Sequence, residues 1–172
     1  MIGDLLIRWT IRTALVAFVA RLVIDLLPAD STHRSDRLQK WLWTIACALL
    51  WVHVGFAFAF EHHWSHAAAY EQTARETRTV TGLDWGGGLW INYTLMLLWA
   101  GDVLWWWLTP ASFAARPALV NHLWPGFLLF IAFNATVVFK TGALRWFGVA
   151  VTITLIWLWW RKRLRAAHVS SP

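Results

Sequence analysis

Residues 38–60 read LQKWLWTIACALLWVHVGFAFAF, and this stretch decides the fold class of the chain. The hydrocarbon core of a bilayer is about 30 Å thick, so a helix needs about 20 predominantly apolar residues to cross it. The stretch has that length, and its one formal charge, Lys40, lies close to its start. It therefore predicts a membrane-spanning α-helix.

Three further stretches meet the same test: residues 89–108, 119–139 and 143–160. Pro125 either kinks or starts the helix in which it lies. The last two stretches meet at Lys140-Thr141-Gly142, which predicts a tight turn and an antiparallel hairpin. These patterns predict an all-α fold, a polytopic membrane helix bundle with four transmembrane helices and a candidate fifth at the N-terminus.

The composition agrees with membrane insertion. Soluble domains are about half apolar and about a quarter charged, whereas this chain is 59% hydrophobic and 14% charged. It also contains 16 Trp, a residue that favours the level of the lipid headgroups. Because 172 residues leave no room for a soluble domain beside the helices, we expect residues 1–172 to form a single integral membrane domain.

Residues 5–27 predict the additional helix at the N-terminus. Its middle, residues 14–20, is wholly apolar, while its charged residues gather on one face. It either spans the membrane, with its charges snorkelling toward the two surfaces, or lies along the interface. The distribution of Lys and Arg between the two sides of the membrane favours a helix that lies along the interface. The length of its apolar stretch favours a helix that spans the membrane. We expect a span, because the Leu- and Val-rich run 22–27 is unusual for a helix that faces water.

The cations indicate orientation and partners. Residues 161–165 read RKRLR, which predicts a cytoplasmic C-terminus, since cytoplasmic flanks carry an excess of Lys and Arg. The net charge of +6 lies at the ends of apolar stretches, where it suits anionic lipid. We therefore expect the lipid bilayer as a partner, with either other membrane subunits or further copies of the chain in a homo-oligomer beside it, and no nucleic acid.

The segment 61–88 falls on the outer side in this arrangement. Its first part, EHHWSHAAAYEQTARET, is rich in helix-forming residues, so the second helix is predicted to continue to about residue 77. Thr81 and Gly82 are expected to end it. Residues 85–88 (WGGG) are expected to form the turn back into the membrane.

Three histidines in this segment are candidate metal ligands: His62, His63 and His66. On a continuous helix His62 and His66 lie one turn apart on one face, where two imidazoles can share a metal ion. Oxygen ligands would come from the nearby acidic residues Glu61, Glu71 or Asp84. These residue types suit zinc, copper or iron. The alternative is a solvated His-rich helix, because a metal site needs ligands that converge from other segments.

His53 is the candidate cofactor-binding residue. Ionisable residues inside a membrane helix are costly and usually face the bundle interior. His53 either ligates a haem or relays protons, or it packs as a neutral imidazole bonded to Asn134 or to a backbone carbonyl. We favour packing, because no second His lies at a matching depth on another predicted helix.

Two other residues inside apolar stretches have structural interpretations. Asp102 is expected to form an ion pair with Arg21, Lys40 or Arg116 near the cytoplasmic surface. Cys47 is alone, which excludes an intramolecular disulfide, and is expected to be a small buried core residue. The chain contains no G-x-S-x-G motif and no phosphate-binding loop, so the sequence favours a protein that is not an enzyme.

Three parts of the stretch 41–107 carry a family resemblance: WLWTIACALLWVHV, HHWSHAAAYEQTARET and LDWGGGLWINY. The chain resembles a family of small uncharacterised multi-pass membrane proteins of planctomycete-type bacteria. The resemblance implies a bacterial cytoplasmic (inner) membrane and an outer His segment that belongs to the core pattern. It implies no catalytic residues.

Two hypotheses about function follow. In the first, the protein is a metal- or haem-binding subunit whose outer His cluster serves electron transfer or metal handling. In the second, it is a non-catalytic membrane scaffold or interaction subunit that binds a partner through its Trp-rich faces. Ligands brought to the His segment by another helix would discriminate the two.

Overall fold

The computed structural model describes residues 2–27 and 33–169, and the side chains of these except at residues 33–35, 122 and 166–169. Every regular element in these ranges is helical, which confirms the all-α fold. The elements are α1 (Ile2–Leu26), α2 (His33–Phe60), α3 (His66–Thr81), α4 (Gly88–Leu108), α5 (Pro110–Ala114), α6 (Ala118–Phe133) and α7 (Ala143–Val169). A π-helical turn, Asn134–Val138, continues α6.

In the described ranges three helices are long and apolar enough to cross a membrane: Asp36–Phe60, Ala118–Val138 and Ala143–Arg165. This is fewer than the four to five spans that the sequence predicts. The helix α4 has Asn92, Asp102 and several Trp, whose hydropathy is close to neutral although the indole favours the membrane interface. The helix α1 carries five charged residues.

The helix α1 runs antiparallel to α2. At one end Gly3 packs against Phe60, so closely that a Cβ on Gly3 would come within 2.8 Å of the Phe60 ring. At the other end the guanidinium of Arg21 lies 4.9 Å from the ring centroid of Trp43. The two contacts are 18 residues apart in α1 (21 minus 3), which is about 27 Å along a helix axis.

The helix α4 also runs antiparallel to α2. The rings of Phe58 and Tyr93 lie 6.4 Å apart toward the end of α2 and the start of α4. Trp107, near the end of α4, donates a hydrogen bond of 3.0 Å from Nε1 to Thr44 Oγ1, near the start of α2. These contacts are 14 residues apart in α4 (107 minus 93), or about 21 Å.

The helices α6 and α7 form a hairpin. The chain turns between them where Gly142 has a φ of 67°, a left-handed conformation that glycine adopts without strain. Gly148 of α7 lets the π-helical turn approach closely, because a Cβ there would come within 2.7 Å of Thr136 Oγ1. Near its end α7 returns to α1, where Lys162 Nζ lies 3.6 Å from Asp25 Oδ2.

The long helices therefore alternate in direction. The ends of α1, α4 and α7 share one face of the bundle, which we call the C-terminal face. The opposite face carries α3 and is called the α3 face. Five helices, α1, α2, α4, α6 and α7, contribute to one core. Its buried residues are Ala17, Phe18, Leu22, Trp43, Ala46, Cys47, Leu95, Trp99, Leu128 and Leu155. Cys47 is thus a buried core residue.

The second helix does not continue unbroken to residue 77 as predicted. It ends at Phe60, and α3 begins at His66. Between them His63 and Trp64 adopt left-handed backbone conformations with φ of 49° and 59°, which an α-helix cannot contain. Ser65 then starts α3 as its N-cap, its hydroxyl accepting a hydrogen bond from the Ala68 N–H.

Two smaller expectations are decided by the helix ends. Gly82 terminates α3 with a φ of 78°, as the sequence predicts. Pro125 lies inside α6, which begins at Ala118, so it does not start that helix.

Candidate functional site

The predicted metal ligands lie around a helix break instead of along one helix face. His62 and His63 lie in the connection after α2, and His66 is the first residue of α3. The spacing of four residues between His62 and His66 therefore no longer corresponds to one helical turn. The geometry on which a shared metal ion was predicted is absent, because the left-handed residues redirect the chain.

Two of these imidazoles, those of His62 and His66, pack against aromatic rings. His62 lies 5.4 Å from the ring of Phe58. His66 lies 5.1 Å from Trp90 and 5.7 Å from Tyr93, both in α4. Of the two rings that α4 brings to His66, the Trp90 indole supplies packing and no metal ligand, and the Tyr93 phenol oxygen is a potential ligand.

Acidic residues near the histidines have other partners. Glu71 lies 3.9 Å from Arg75, and Asp84 lies 3.3 Å from Arg78. Within residues 2–27 and 33–169 no group of three or more His, Cys, Asp or Glu side chains is arranged to hold a metal ion.

A groove of about 440 Å³ lies between α2 and α4, toward the α3 face. Its walls are apolar and largely aromatic: Trp51, Val54, Gly55, Phe58, Trp64, Tyr93, Met96 and Leu97. A Cβ on Gly55 would meet no atom within 4 Å, so the backbone of α2 is open to an approaching group here. The groove suits an apolar occupant, such as another membrane helix.

His53 joins α2 to α1. Its Nδ1 lies 2.9 Å from the backbone carbonyl oxygen of Ile7. A carbonyl only accepts, so Nδ1 carries the proton and donates. The other predicted partner, Asn134, instead donates from Nδ2 to the carbonyl of Phe130 in its own helix. The half-buried His53 thus has the packing contact that the sequence favours, through the carbonyl and not through Asn134.

A buried polar cluster lies toward the C-terminal face, and Asp102 is at its centre. Asp102 Oδ1 accepts a hydrogen bond of 2.7 Å from Arg116 Nη1, in an ion pair with both side chains at least nine-tenths buried. Asp102 Oδ2 accepts a hydrogen bond of 2.8 Å from Trp43 Nε1. Each carboxylate oxygen is therefore satisfied, and α2 and α4 are tied to the segment after α5.

Arg116 has further contacts that hold it in place. Its Nε donates to Asn121 Oδ1 near the start of α6. Its guanidinium lies 3.8 Å from the ring centroid of Phe113. The Phe113 ring in turn stacks on Trp106 at 4.6 Å. Arg116 is thus anchored by an ion pair, a hydrogen bond and an aromatic face.

Arg21 is the second cation of this cluster and is held less completely. It is 92% buried, and its guanidinium lies over the Trp43 ring. Its Nε has no hydrogen-bond partner. Among the residues that the structure describes, Asp102 pairs with Arg116 and Asp25 pairs with Lys162, and neither pairs with Arg21.

The sequence identifies this cluster only in part. The sequence places three cations, Arg21, Lys40 and Arg116, near the same membrane surface as Asp102. Asp102 pairs with Arg116. The other two cations instead lie over indole rings, Lys40 at 3.9 Å from the Trp107 centroid and Arg21 over Trp43. The Trp43 hydrogen bond is not predicted, because nothing in the sequence distinguishes this indole from its 15 companions.

Comparison with known proteins adds no further constraint. No protein-family model, no curated protein and no solved structure matches this chain.

Proposed function

We propose that this protein is a five-pass integral membrane protein that serves as a non-catalytic interaction subunit. It receives an apolar membrane helix of a partner, which is another membrane subunit or a second copy of the chain, in the groove beside Gly55. The observation that carries the proposal is that polar side chains inside the membrane helices are already engaged in hydrogen bonds. His53, Asp102 and Trp43 bond across helices or to the backbone, whereas the apolar groove is open to an apolar ligand.

Five passes are supported by the course of α1 and α4. Each runs antiparallel to α2, which is long and apolar enough to span, over about 27 Å and about 21 Å respectively. A helix that accompanies a spanning helix over most of a hydrocarbon core about 30 Å thick crosses the membrane with it. Of the five charges of α1, Asp4 and Asp25 lie near its two ends and Arg21 is buried. Arg8 and Arg12 are exposed, and Arg12, near the middle of the helix and over the Trp9 ring, has to reach the membrane surface by snorkelling.

The proposed orientation places the C-terminal face in the cytoplasm and the α3 face outside. The basic run 161–165 at the end of α7 supports it, since cytoplasmic flanks are rich in Lys and Arg. A bacterial cytoplasmic membrane, and membership in the planctomycete-type family, remain predictions from the sequence resemblance.

The groove is tested by filling it. Gly55→Leu inserts a side chain into the groove, and Gly101→Leu is the matched control, because a Cβ on either glycine meets no atom within 4 Å. Native mass spectrometry of the tagged protein, extracted with a mild detergent, measures the size of its assembly. We expect the parent and Gly101→Leu to run above the monomer mass and Gly55→Leu to fall to it. A parent that is monomeric in every mild detergent would contradict the proposal.

A metal- or haem-binding subunit is the second candidate, and one observation favours it. His53 donates from Nδ1 to a carbonyl, which is how ligating histidines are commonly oriented, with Nε2 directed elsewhere. Elemental analysis and an absorption spectrum of the parent, of His53→Leu and of His62→Ala/His66→Ala decide between the candidates. An interaction subunit gives equal background metal and no haem band in all three. Stoichiometric metal or haem in the parent that either variant loses would establish the second candidate, and His63→Ala would then test the remaining ligand.

A further inference from the structure

The buried cluster at the C-terminal face carries an excess of positive charge. Among the residues whose side chains the structure describes, the buried charged groups are Arg21, Asp102 and Arg116, and Asp102 is bonded to Arg116. Burying a charge without a counter-charge is costly, so buried cations are normally paired. Two buried guanidinium groups and one carboxylate leave a formal charge of +1 enclosed in the bundle.

The cation of this cluster that has no ion pair with a described residue is Arg21, because Asp25, one turn further along α1, attracts it electrostatically but is exposed and pairs with Lys162. Its Nε has no hydrogen-bond partner, and its side chain is 92% buried. The Trp43 ring beneath it supplies a cation–π contact, which is an attraction to one face of the guanidinium. Hydrogen bonds form in the plane of the guanidinium, and oxyanions commonly take two of its N–H groups at once. The Nε–H donor on one edge of the guanidinium is therefore enclosed by the protein without a hydrogen-bond acceptor.

The surroundings of Arg21 favour an anion that arrives from the C-terminal face. Arg21 lies five residues before the end of α1 at Leu26, about 7.5 Å along the axis. The same face carries further cations: Lys40, Arg161, Lys162, Arg163 and Arg165. Basic pockets between membrane helices on the cytoplasmic side attract the head groups of anionic lipids.

We propose that Arg21, with Arg116 beside it, is a binding site for a phosphate group at the C-terminal face of the bundle. The phosphate belongs either to an anionic lipid head group or to free inorganic phosphate, and the basic rim of the face favours the lipid. The inference rests on the proposed membrane placement of the C-terminal face and not on the role of interaction subunit.

The test measures thermal unfolding of the full chain in lipid nanodiscs. One arm compares discs of zwitterionic phosphatidylcholine with discs that also contain phosphatidylglycerol. The other arm titrates inorganic phosphate into protein held in phosphatidylcholine alone. A ligand that binds the folded state raises the unfolding midpoint with its concentration. A rise with phosphatidylglycerol alone identifies the lipid head group, and an equal rise with inorganic phosphate identifies the free ion. Both outcomes support the site.

Two variants separate the site from general surface attraction. Arg21→Met removes the unpaired guanidinium. Arg163→Met is the matched control, because Arg163 lies in the same basic region and over an indole, 4.8 Å from the Trp159 centroid, but is exposed. We expect affinity for the phosphate source to fall about ten- to hundredfold in Arg21→Met, the value of a charge-assisted hydrogen bond, and to change little in Arg163→Met.

Two results would overturn the site. One is an equal response of the parent, Arg21→Met and Arg163→Met, which would mean attraction to the surface as a whole. The other is a parent that neither phosphate source stabilises, a result that needs no variant and holds even if Arg21→Met fails to fold. Assembly size is measured separately, so a monomeric parent stabilised by phosphatidylglycerol would contradict the interaction subunit and leave the phosphate site standing.

Discussion

Asp102 and Arg116 form a buried ion pair, with Arg116 Nη1 2.7 Å from Asp102 Oδ1, and this pair connects α4 to the segment that leads into α6. Such a pair is weak proof of stabilisation, because desolvation offsets much of the Coulombic attraction. Removing one partner is a different matter, since the remaining charge stays enclosed. The pair therefore makes the fold sensitive to single substitutions at either residue.

Asp102→Asn should destabilise the protein by about 3–5 kcal/mol, because it leaves Arg116 buried without its counter-charge. Asp84→Asn is the control, since its pair with Arg78 is exposed and such pairs contribute at most about 1 kcal/mol. Unfolding of the detergent-solubilised proteins by denaturant measures both. Similar small losses in the two variants would show that the Asp102 pair is not enclosed in the folded protein.

His53→Leu should weaken the contact between α1 and α2. The variant keeps an apolar side chain of moderate size and loses the hydrogen bond to the Ile7 carbonyl, with an expected cost of about 1 kcal/mol. The same unfolding measurement applies. His66→Leu, on α3 and outside the apolar span, serves as the comparison and should cost less. The prediction is wrong if His53→Leu is as stable as the parent.

The proposed crossing of α1 predicts that its two ends lie on opposite sides of the membrane. In a Cys47→Ala background, Ile2→Cys and Leu27→Cys each place one exposed thiol at an end of the helix. A membrane-impermeant maleimide should label residue 2 in intact cells and residue 27 only after permeabilisation. Labelling of both from the same side would mean that α1 lies along one surface.

The proposed crossing of α4 is tested in the same background. Leu83→Cys precedes α4 on the α3 face, and Ala111→Cys lies in α5 beyond its end. Both positions are exposed. If α4 crosses, only residue 83 reacts in intact cells. If α2, α6 and α7 alone span, both positions are on one side and react together.

Local signals in the sequence account for most of the helices and turns. The apolar run 38–60 ends at Phe60, as α2 does, and Gly82 and Gly142 are at the turns where the left-handed conformation is needed. The helix break before His66 also has a local signal, Ser65 ahead of His66 and three Ala, which is typical of an N-cap. The prediction of a continuous helix was wrong because it relied on the helix-forming composition of residues 61–77 and not on this N-cap.

The sequence by itself determined that this chain is all-α, where its apolar stretches lie, and which residues inside them are polar. These properties follow from hydropathy and backbone preference, which act over a few neighbouring residues. Tertiary structure alone decided the partners. The sequence places three cations at an equivalent depth near the same membrane surface: Arg21, Lys40 and Arg116. Only the rotation and packing of the helices direct Arg116 to Asp102 and place Arg21 over Trp43. A contact between residues far apart in the chain depends on those rotations, which no local pattern specifies.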